Sequence, residues 1–298
     1  MSRIILTGGT GLIGRALLPA LRQAGYEPIV LSRRSVSLPE AQVFLWDGVR
    51  FPSSLPAEEG VAVINLAGAG IADRRWTPAY KQVLWESRVQ ATQAAVAWLR
   101  DKAPSGRLIS ASAIGYYGSG LSSARLTEES PPGKDFLAGL AQAWEAAAQE
   151  APTPPVLLRL GVVLSRTGGA WPRLRQGLRA GIATYFAPGT QGFSWVHIQD
   201  VVRAFLWALT HPEAQGPYNV TAPNPVSARA FAEIVGRHLK SWLVVPLPAA
   251  PLRWILGELA DTLTRGAYVL PARLEKAGFS FQYPTLEAAL QELWPKPS

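Results

Sequence analysis

The chain has 298 residues, of which 48% are hydrophobic and 17% charged, with a formal charge of +8. That is about two ordinary domains by length, with one large α/β domain also compatible. The apolar content supplies a sizeable core and excludes a mostly disordered or collagen-like chain. Cysteine is absent, so disulfide scaffolds, cysteine-ligated metal sites and thiol nucleophiles are excluded together.

The three histidines, His197, His211 and His238, are too scattered in sequence to read as a metal cluster. No apolar run reaches the ~18 to 20 residues that span a bilayer. Met1 to Thr7 runs directly into a glycine-rich loop, leaving no room for a signal peptide's apolar region. The expectation is a soluble cytoplasmic protein with no membrane partner. The basic residues, mostly arginines, occur singly or in pairs such as Arg33-Arg34 and Arg74-Arg75. Nucleic-acid binding needs such charges gathered on one face or run, so the pattern predicts a solvated basic surface without a nucleic-acid partner.

Short apolar strands alternate with helical patterns through the first half, the signature of a parallel sheet with helices on both faces. Ile4 to Leu6 reads as a buried strand and Leu12 to Ala24 as its helix, closed by Gly25. Strands follow at Pro28 to Leu31, Val43 to Trp46 and 61–66, then a long helix from Pro78 to Arg100. Arg107 to Ser110 is the fifth strand, Phe136 to Gln149 a helix, and Val156 to Leu160 the sixth strand. Beyond Gly161, glycines punctuate short helices and weak strands, as in a smaller substrate lobe. Helices are predicted at Gln199 to Thr210 and at Ser227 to Leu239, the latter with serine as N-cap. Proline-bounded helices are expected from Pro246 onward, ending with Thr285 to Trp294. The domain reading is residues 1–240, with the substrate lobe mainly within 161–240, and a small helical C-terminal domain over 241–298.

Between the first strand and helix, Gly8, Gly11 and Gly14 form G-x-x-G-x-x-G, while Gly9, Gly11 and Gly14 form G-x-G-x-x-G. Glycines there permit a tight turn, close backbone approach to a pyrophosphate and tight helix–strand packing, and the helix N-terminus offers unpaired N–H groups. In this strand–turn–helix setting Gly8, Thr10, Gly11, Leu12, Ile13 and Gly14 form a candidate dinucleotide turn on a doubly wound, Rossmann-type sheet. The second strand should end beside the adenosine ribose, where an acid accepts from a 2′-hydroxyl and a base accommodates a 2′-phosphate. The residues there are Ser32, Arg33 and Arg34, with no acid before Glu40. NADP(H) is therefore the expected cofactor, with Arg33 as first phosphate contact and Ser32 or Arg34 as helpers. The alternative is an exposed arginine pair. Asp47 either accepts from the adenine amino group or is a turn residue before Gly48.

These residues, together with Asn65-Leu66-Ala67-Gly68-Ala69, Ser87-Arg88-Val89, Ser110 to Gly118, Trp144-Glu145, Arg159 to Leu164, Ser194 to Asp200 and Ala277 to Pro284, resemble the extended short-chain dehydrogenase/reductases. Within that family the chain is similar to the atypical group that joins an epimerase/dehydratase-like domain to a small C-terminal domain of unknown function. The resemblance covers nearly the whole chain. It implies that Leu66, Ala67 and Gly68 line the cofactor and that Ser112 holds the substrate's reacting oxygen. Read from the residues alone, Ser110 and Ser112 alternate at a strand exit, where open α/β sheets place ligands, or Ser112 satisfies loop backbone.

The family's Tyr-x-x-x-Lys pair is missing. In active relatives the tyrosine transfers the proton and the lysine lowers its pKa and binds the nicotinamide ribose. The matching helix reads Phe136-Leu137-Ala138-Gly139-Leu140-Ala141, with neither residue near Leu137 and Ala141. Substitute proton carriers are Tyr116 and Tyr117, which also suit aromatic packing, and His197, which can alternatively orient a loop. Asp135 reads as a helix cap. Arg88 and Arg159 are available for an acidic substrate or cofactor phosphate, or for ion pairs with Glu86, Glu145 or other acids. Some of the tryptophans among Trp76, Trp85, Trp144, Trp171, Trp195 and Trp207 are expected to wall an apolar pocket and most to fill core. The chain is thus expected to move hydride between NADP(H) and a carbonyl or alcohol carbon of a small, sugar-like substrate. The rival expectation is a non-catalytic NADP(H) sensor. A homodimer through the two long helices is compatible with their apolar stripes, as is packing within one chain.

Overall fold

The computed structural model describes residues 2–57, 60–120, 123–169, 171–172, 181–248, 258 and 265–294. In chain order the first elements are β1 Arg3–Thr7, α1 Leu12–Gln23, β2 Glu27–Ser32, β3 Gln42–Leu45, β4 Ala62–Asn65, α2 Pro78–Lys102 and β5 Arg107–Ala113. A 3₁₀ turn, Ile114–Tyr117, precedes β6 Arg125–Leu126, α3 Phe136–Gln149, β7 Val156–Leu160, β8 Val162–Ser165 and β9 Gly168–Gly169. Then come β10 Ile182–Phe186, β11 Gly192–Phe193, β12 Trp195–His197, α4 Ile198–Thr210, β13 Gly216–Val220, β14 Val226–Ser227 and α5 Ala228–His238. The last are β15 Leu243–Leu247, β16 Tyr268–Val269, α6 Ala272–Lys276 and α7 Leu286–Leu293.

The doubly wound sheet is present, seven strands in the order β13-β7-β5-β4-β1-β2-β3. Pairing is parallel from β5 through β4, β1 and β2 to β3. Ile4, Ile5, Leu6 and Val30 are essentially without exposure, the mark of strands covered on both faces. Contacts group the chain into two units that interleave in sequence: Met1–Tyr116 with Gly139–Arg159 and Val202–Tyr218, and Tyr117–Ala138 with Leu160–Val201 and Asn219–Ser298.

The first unit packs α2 on the sheet through Ala91, Ala95, Trp98 and Leu99 in one core cluster with Val63 and Leu108. Thr77 caps α2, accepting from Tyr80 N at 3.2 Å, and Pro78 occupies the first turn, where its missing N–H costs nothing. Under the carboxyl ends of the strands lies a polar knot with no exposed member. Thr7 Oγ1 donates to Asn65 Oδ1 at 2.6 Å, and Asn65 Nδ2 donates to Thr92 Oγ1 at 2.8 Å and Ser110 Oγ at 3.2 Å. One amide thereby ties β1, β4, β5 and α2 together.

The second unit has its own core of Leu164, Trp171, Trp195, Phe231, Val235, Leu286 and Leu290. Ser227 and Thr285 cap α5 and α7 through bonds from Ala230 N and Ala288 N. Asp200, fully buried, accepts from the backbone N–H groups of Gln282 at 2.6 Å and Tyr283 at 3.0 Å.

Two expectations are corrected. β5 runs on to Ala113, so Ser112 lies within the strand and not beyond it. The helical region expected from Pro246 is entered by a strand, since Leu243–Leu247 pairs in parallel with β10, where Val244 and Val245 favour extended chain over helix. The helices expected between 249 and 264 lie outside the described residues. Among the described residues no helix is long and apolar enough to cross a membrane.

Asn65→Leu should strand the Thr7, Thr92 and Ser110 hydroxyls in an apolar setting and lower the unfolding free energy by about 2–4 kcal/mol. Urea denaturation reads this as a lower midpoint at unchanged slope.

Candidate functional site: a nucleotide cleft on the first unit

The turn after β1 is built by steric exclusion. Gly8 sits at φ +68°, and a Cβ there would meet the Leu66 carbonyl oxygen at 2.5 Å; a Cβ on Gly14 would meet Gly9 Cα at 2.5 Å. Only a bare backbone fits both places, so β1, the Leu66 loop and α1 close on one another. Gly11 is the N-cap of α1 with no side-chain cap and no acid in the first turn. The N–H groups of Leu12, Ile13 and Gly14 therefore have no intrahelical acceptor and make up the positive end of the helix.

Beside this turn lies a cleft of about 350 Å³, within the size of small-molecule sites. Gly8, Thr10, Gly11, Ser32, Arg33, Asp47, Leu66, Ala67 and Gly68 all line it. Leu12, Ile13 and Gly14 follow Gly11 into α1, and Arg34 is not part of the wall. Ser32 Oγ donates to the Arg34 carbonyl at 2.8 Å and accepts from Arg34 N at 3.2 Å, a local turn that sets where Arg33 leaves the strand. Asp47 Oδ1 accepts from Val49 N at 2.7 Å and Arg50 N at 2.8 Å, and those backbone bonds hold its carboxyl below the usual range. Asp47 is thus both a turn former and a wall residue.

Sequence reasoning missed the opposite wall. Val83, Glu86, Ser87, Gln90 and Ala91 present one stripe of α2 to the cleft, and Trp46, Val49 and Ala69 complete it. Their i, i+3, i+4 and i+7 spacing was a readable signal. Ser87 Oγ accepts from Ala69 N at 3.0 Å and so fixes the loop after Gly68.

Ser112 is 2% exposed and donates to Glu145 Oε1 at 2.6 Å. Arg159 holds the same carboxylate bidentately, Nε to Oε1 at 2.8 Å and Nη2 to Oε2 at 2.7 Å. The Arg159 guanidinium lies 3.4 Å from the centroid of the Tyr116 ring. Serine, carboxylate and guanidinium are buried and the half-buried phenol ring closes the column, which the first unit contains whole. The helix positions expected for the tyrosine and lysine carry Leu137 and Ala141, the latter 2% exposed.

In the second unit, Tyr117 Oη donates to Asn219 Oδ1 at 2.8 Å. His197, fully buried, shares Nε2 with Glu292 Oε2 at 2.9 Å, accepts from Gln199 N on Nδ1 at 3.3 Å and packs against Tyr283, with ring centroids 3.9 Å apart and planes tilted by 45°. Asp135 accepts from Ala138 N at 2.9 Å and from Ser119 N and Oγ, each at 2.6 Å, the expected cap at α3. No cluster of three or more metal-ligating side chains occurs among the described residues. Trp144, Trp171, Trp195 and Trp207 are core, whereas Trp85 is 38% exposed.

A glycine turn that admits no Cβ, an uncapped helix N-terminus and a cleft at the carboxyl ends of parallel strands define a nucleotide-binding protein of the Rossmann type. The chain belongs to the NAD dependent epimerase/dehydratase family, whose model matches residues 4–221, and a domain of unknown function, DUF1731, matches residues 247–293. It is 38% identical over 293 residues to an epimerase family protein of Mycobacterium bovis, covering 96% of each chain. It is 36% identical to the chloroplastic SDR39U1 homolog of Arabidopsis thaliana, covering 97% of this chain and 86% of the plant protein. The human epimerase family protein SDR39U1 (isoform 2), crystallised with NADPH, superposes with a TM-score of 0.89 at 32% identity over 98% of each chain.

Burial pushes the His197 pKa below 6.5, and the bond to Glu292 only partly opposes it. As pH falls through 6.5, the unfolded chain binds a proton before the folded one does. Stability should therefore decline from that pH downward and level off once the folded imidazole is protonated too. The melting-temperature difference between wild type and His197→Gln, followed from pH 7.5 to pH 4.5, should shrink over this window. A difference independent of pH would contradict the depressed pKa.

Proposed function

We propose that the protein is an NADP(H)-dependent oxidoreductase, epimerase-like in architecture, that moves hydride between the nicotinamide and a carbonyl or alcohol carbon of a small, sugar-like substrate. The observation that carries the cofactor choice is Arg33 in the cleft wall at the end of β2, with Ser32 turned into its own backbone and no acid following it in the chain before Glu40. A 2′-phosphate placed there gains a charge-assisted bond from Arg33, while the Asp47 carboxylate in the same wall is tied to the backbone N–H groups of Val49 and Arg50. NADPH in the crystal of the human relative supports the same reading. The glycine turn leaves room for a pyrophosphate, and the N–H groups of Leu12, Ile13 and Gly14 are the donors for it. Asp47, Leu66, Ala67 and Gly68 complete the cofactor's wall.

The bound nicotinamide supplies or accepts the hydride. Ser112 anchors the substrate oxygen. With its proton directed at Glu145, the serine offers lone pairs, and these receive an alcohol's O–H. Tyr117 and His197 have their polar atoms engaged with Asn219 and with Glu292 and Gln199. The proton step is assigned to Tyr116, whose ring lies against Arg159, or to an ordered water. A second reading, an NADP(H) sensor without turnover, is favoured by the Leu137 and Ala141 positions, which carry neither phenol nor amine.

Anaerobic addition of a panel of aldoses, ketoses and simple ketones to the NADPH-loaded protein separates the two. Loss of absorbance at 340 nm that Ser112→Ala slows by at least about 100-fold supports the enzyme, in the range of one lost transition-state donor or acceptor. Binding without oxidation across the panel supports the sensor.

Arg33→Ala should weaken NADPH by about 10- to 100-fold and leave NADH unchanged, the loss of one charge-assisted contact. Calorimetry with both cofactors checks it, and equal loss for the two would remove Arg33 from the phosphate.

A further inference from the structure

Arg88 is buried on α2, 8% exposed, and yet faces no carboxylate within 4.0 Å among the described residues. Its Nη1 donates to the Leu84 carbonyl at 3.1 Å and its Nη2 to the Ala69 carbonyl at 3.0 Å. The guanidinium lies 5.3 Å from the Trp144 ring. Five N–H donors are available to an arginine and the bonds to carbonyls occupy few of them. The contrast with Arg159 is direct, since that buried guanidinium has Glu145 in a bidentate pair. Desolvation pulls Arg88 down to about 10, which still leaves it cationic at neutral pH.

A buried cation without a counter-anion is unfavourable, and folded proteins supply a partner or a ligand for it. The place where one fits is marked by Gly68. A Cβ on that residue would lie 3.0 Å from Arg88 Cζ, so the bare glycine is a window between the guanidinium and the cleft that Gly68 and Ala69 line.

We propose that Arg88 is an anion anchor, receiving a phosphate or carboxylate oxygen of a ligand that lies on Gly68 and Ala69. Trp144, whose ring faces the guanidinium, stands on α3 three residues beyond Ala141, so α2 delivers a positive charge to the helix that lacks the expected lysine. The anchor rests on the cleft being the nucleotide site. Its anion comes either from the cofactor's diphosphate or from an acidic substrate beside it.

The test compares wild type, Arg88→Lys and Arg88→Met. Apo Arg88→Met should melt at or above the wild-type temperature, because an uncompensated charge leaves the interior. NADPH affinity is then measured by calorimetry, and inorganic phosphate and acetate are titrated into the NADPH complexes. A loss of NADPH affinity of tenfold or more in Arg88→Met, partly restored in Arg88→Lys, assigns the anion to the cofactor. Unchanged NADPH affinity, with phosphate or acetate bound by wild type and not by Arg88→Met, assigns it to the substrate.

In wild type alone, the Arg88 Nε–H proton resonance should shift on adding NADPH or, in the NADPH complex, phosphate or acetate. This readout holds even where the methionine variant fails to fold. Equal affinities in all three proteins, or a resonance that none of the three additions moves, would overturn the proposal. Wild type that binds no NADPH would instead sink the nucleotide reading itself.

Discussion

The rim of the central sheet depends on one side chain that touches no solvent. Asn65 spends its carbonyl on Thr7 and its amide on Thr92 and Ser110, so the last residues of β1 and β4, the middle of β5 and the middle of α2 share a single hydrogen-bonded knot. Thr7 Oγ1 in turn accepts from Leu66 N at 3.2 Å and Ala67 N at 3.3 Å, which carries the constraint out of the sheet into the loop that walls the cleft. In an apolar interior such a network is strong when every member is satisfied and costly when one is not. The geometry of the cleft follows. The glycine turn can close on the Leu66 carbonyl only because that carbonyl is held still, and α2 can offer a stripe of wall residues only because Thr92 fixes its rotation.

Charge is arranged on that frame in three distinct ways. Arg33 is exposed at the end of β2, where water screens it and a phosphate can displace that water at little cost. Arg159 is buried and matched by Glu145, so it consumes its own charge in orienting Ser112. Arg88 is buried and unmatched by any carboxylate among the described residues. A net charge of +8 spread over the surface says little about partners, whereas a single unmatched guanidinium behind a glycine window says a good deal.

The parts legible in the sequence were those governed by local rules. The glycine spacing, the continuous apolar strands, α3 at Phe136–Gln149 and the Ser227 cap each follow from steric or hydrogen-bonding demands within a few residues. The cofactor-side loop at Leu66 to Gly68 came from the family resemblance, and it lines the same cleft as Arg33 and Asp47. The Arg159–Glu145 pair was one of the alternatives the sequence offered, whereas the bond from Ser112 to Glu145 could not be read in advance, because those residues are 33 apart and meet only when β5 and α3 are assembled. The Asn65 knot was hidden for the same reason, with partners 58, 27 and 45 residues away. Residues 117–138 carry a polar, glycine- and proline-punctuated pattern that gives no local sign of belonging with the second unit.

Under the proposed role of Ser112, the column also bears on which chemistry is favoured. A serine that donates to a neutral acceptor can turn its proton toward a substrate carbonyl, and nothing is lost but one modest hydrogen bond. Ser112 donates to a carboxylate that Arg159 grips through two bonds, and a charge-assisted bond of 2.6 Å in a buried setting is much harder to surrender. The hydroxyl is therefore biased to accept. A ligand oxygen that brings its own proton matches this bias, whereas a bare carbonyl must either break the Ser112–Glu145 bond or find its donor elsewhere.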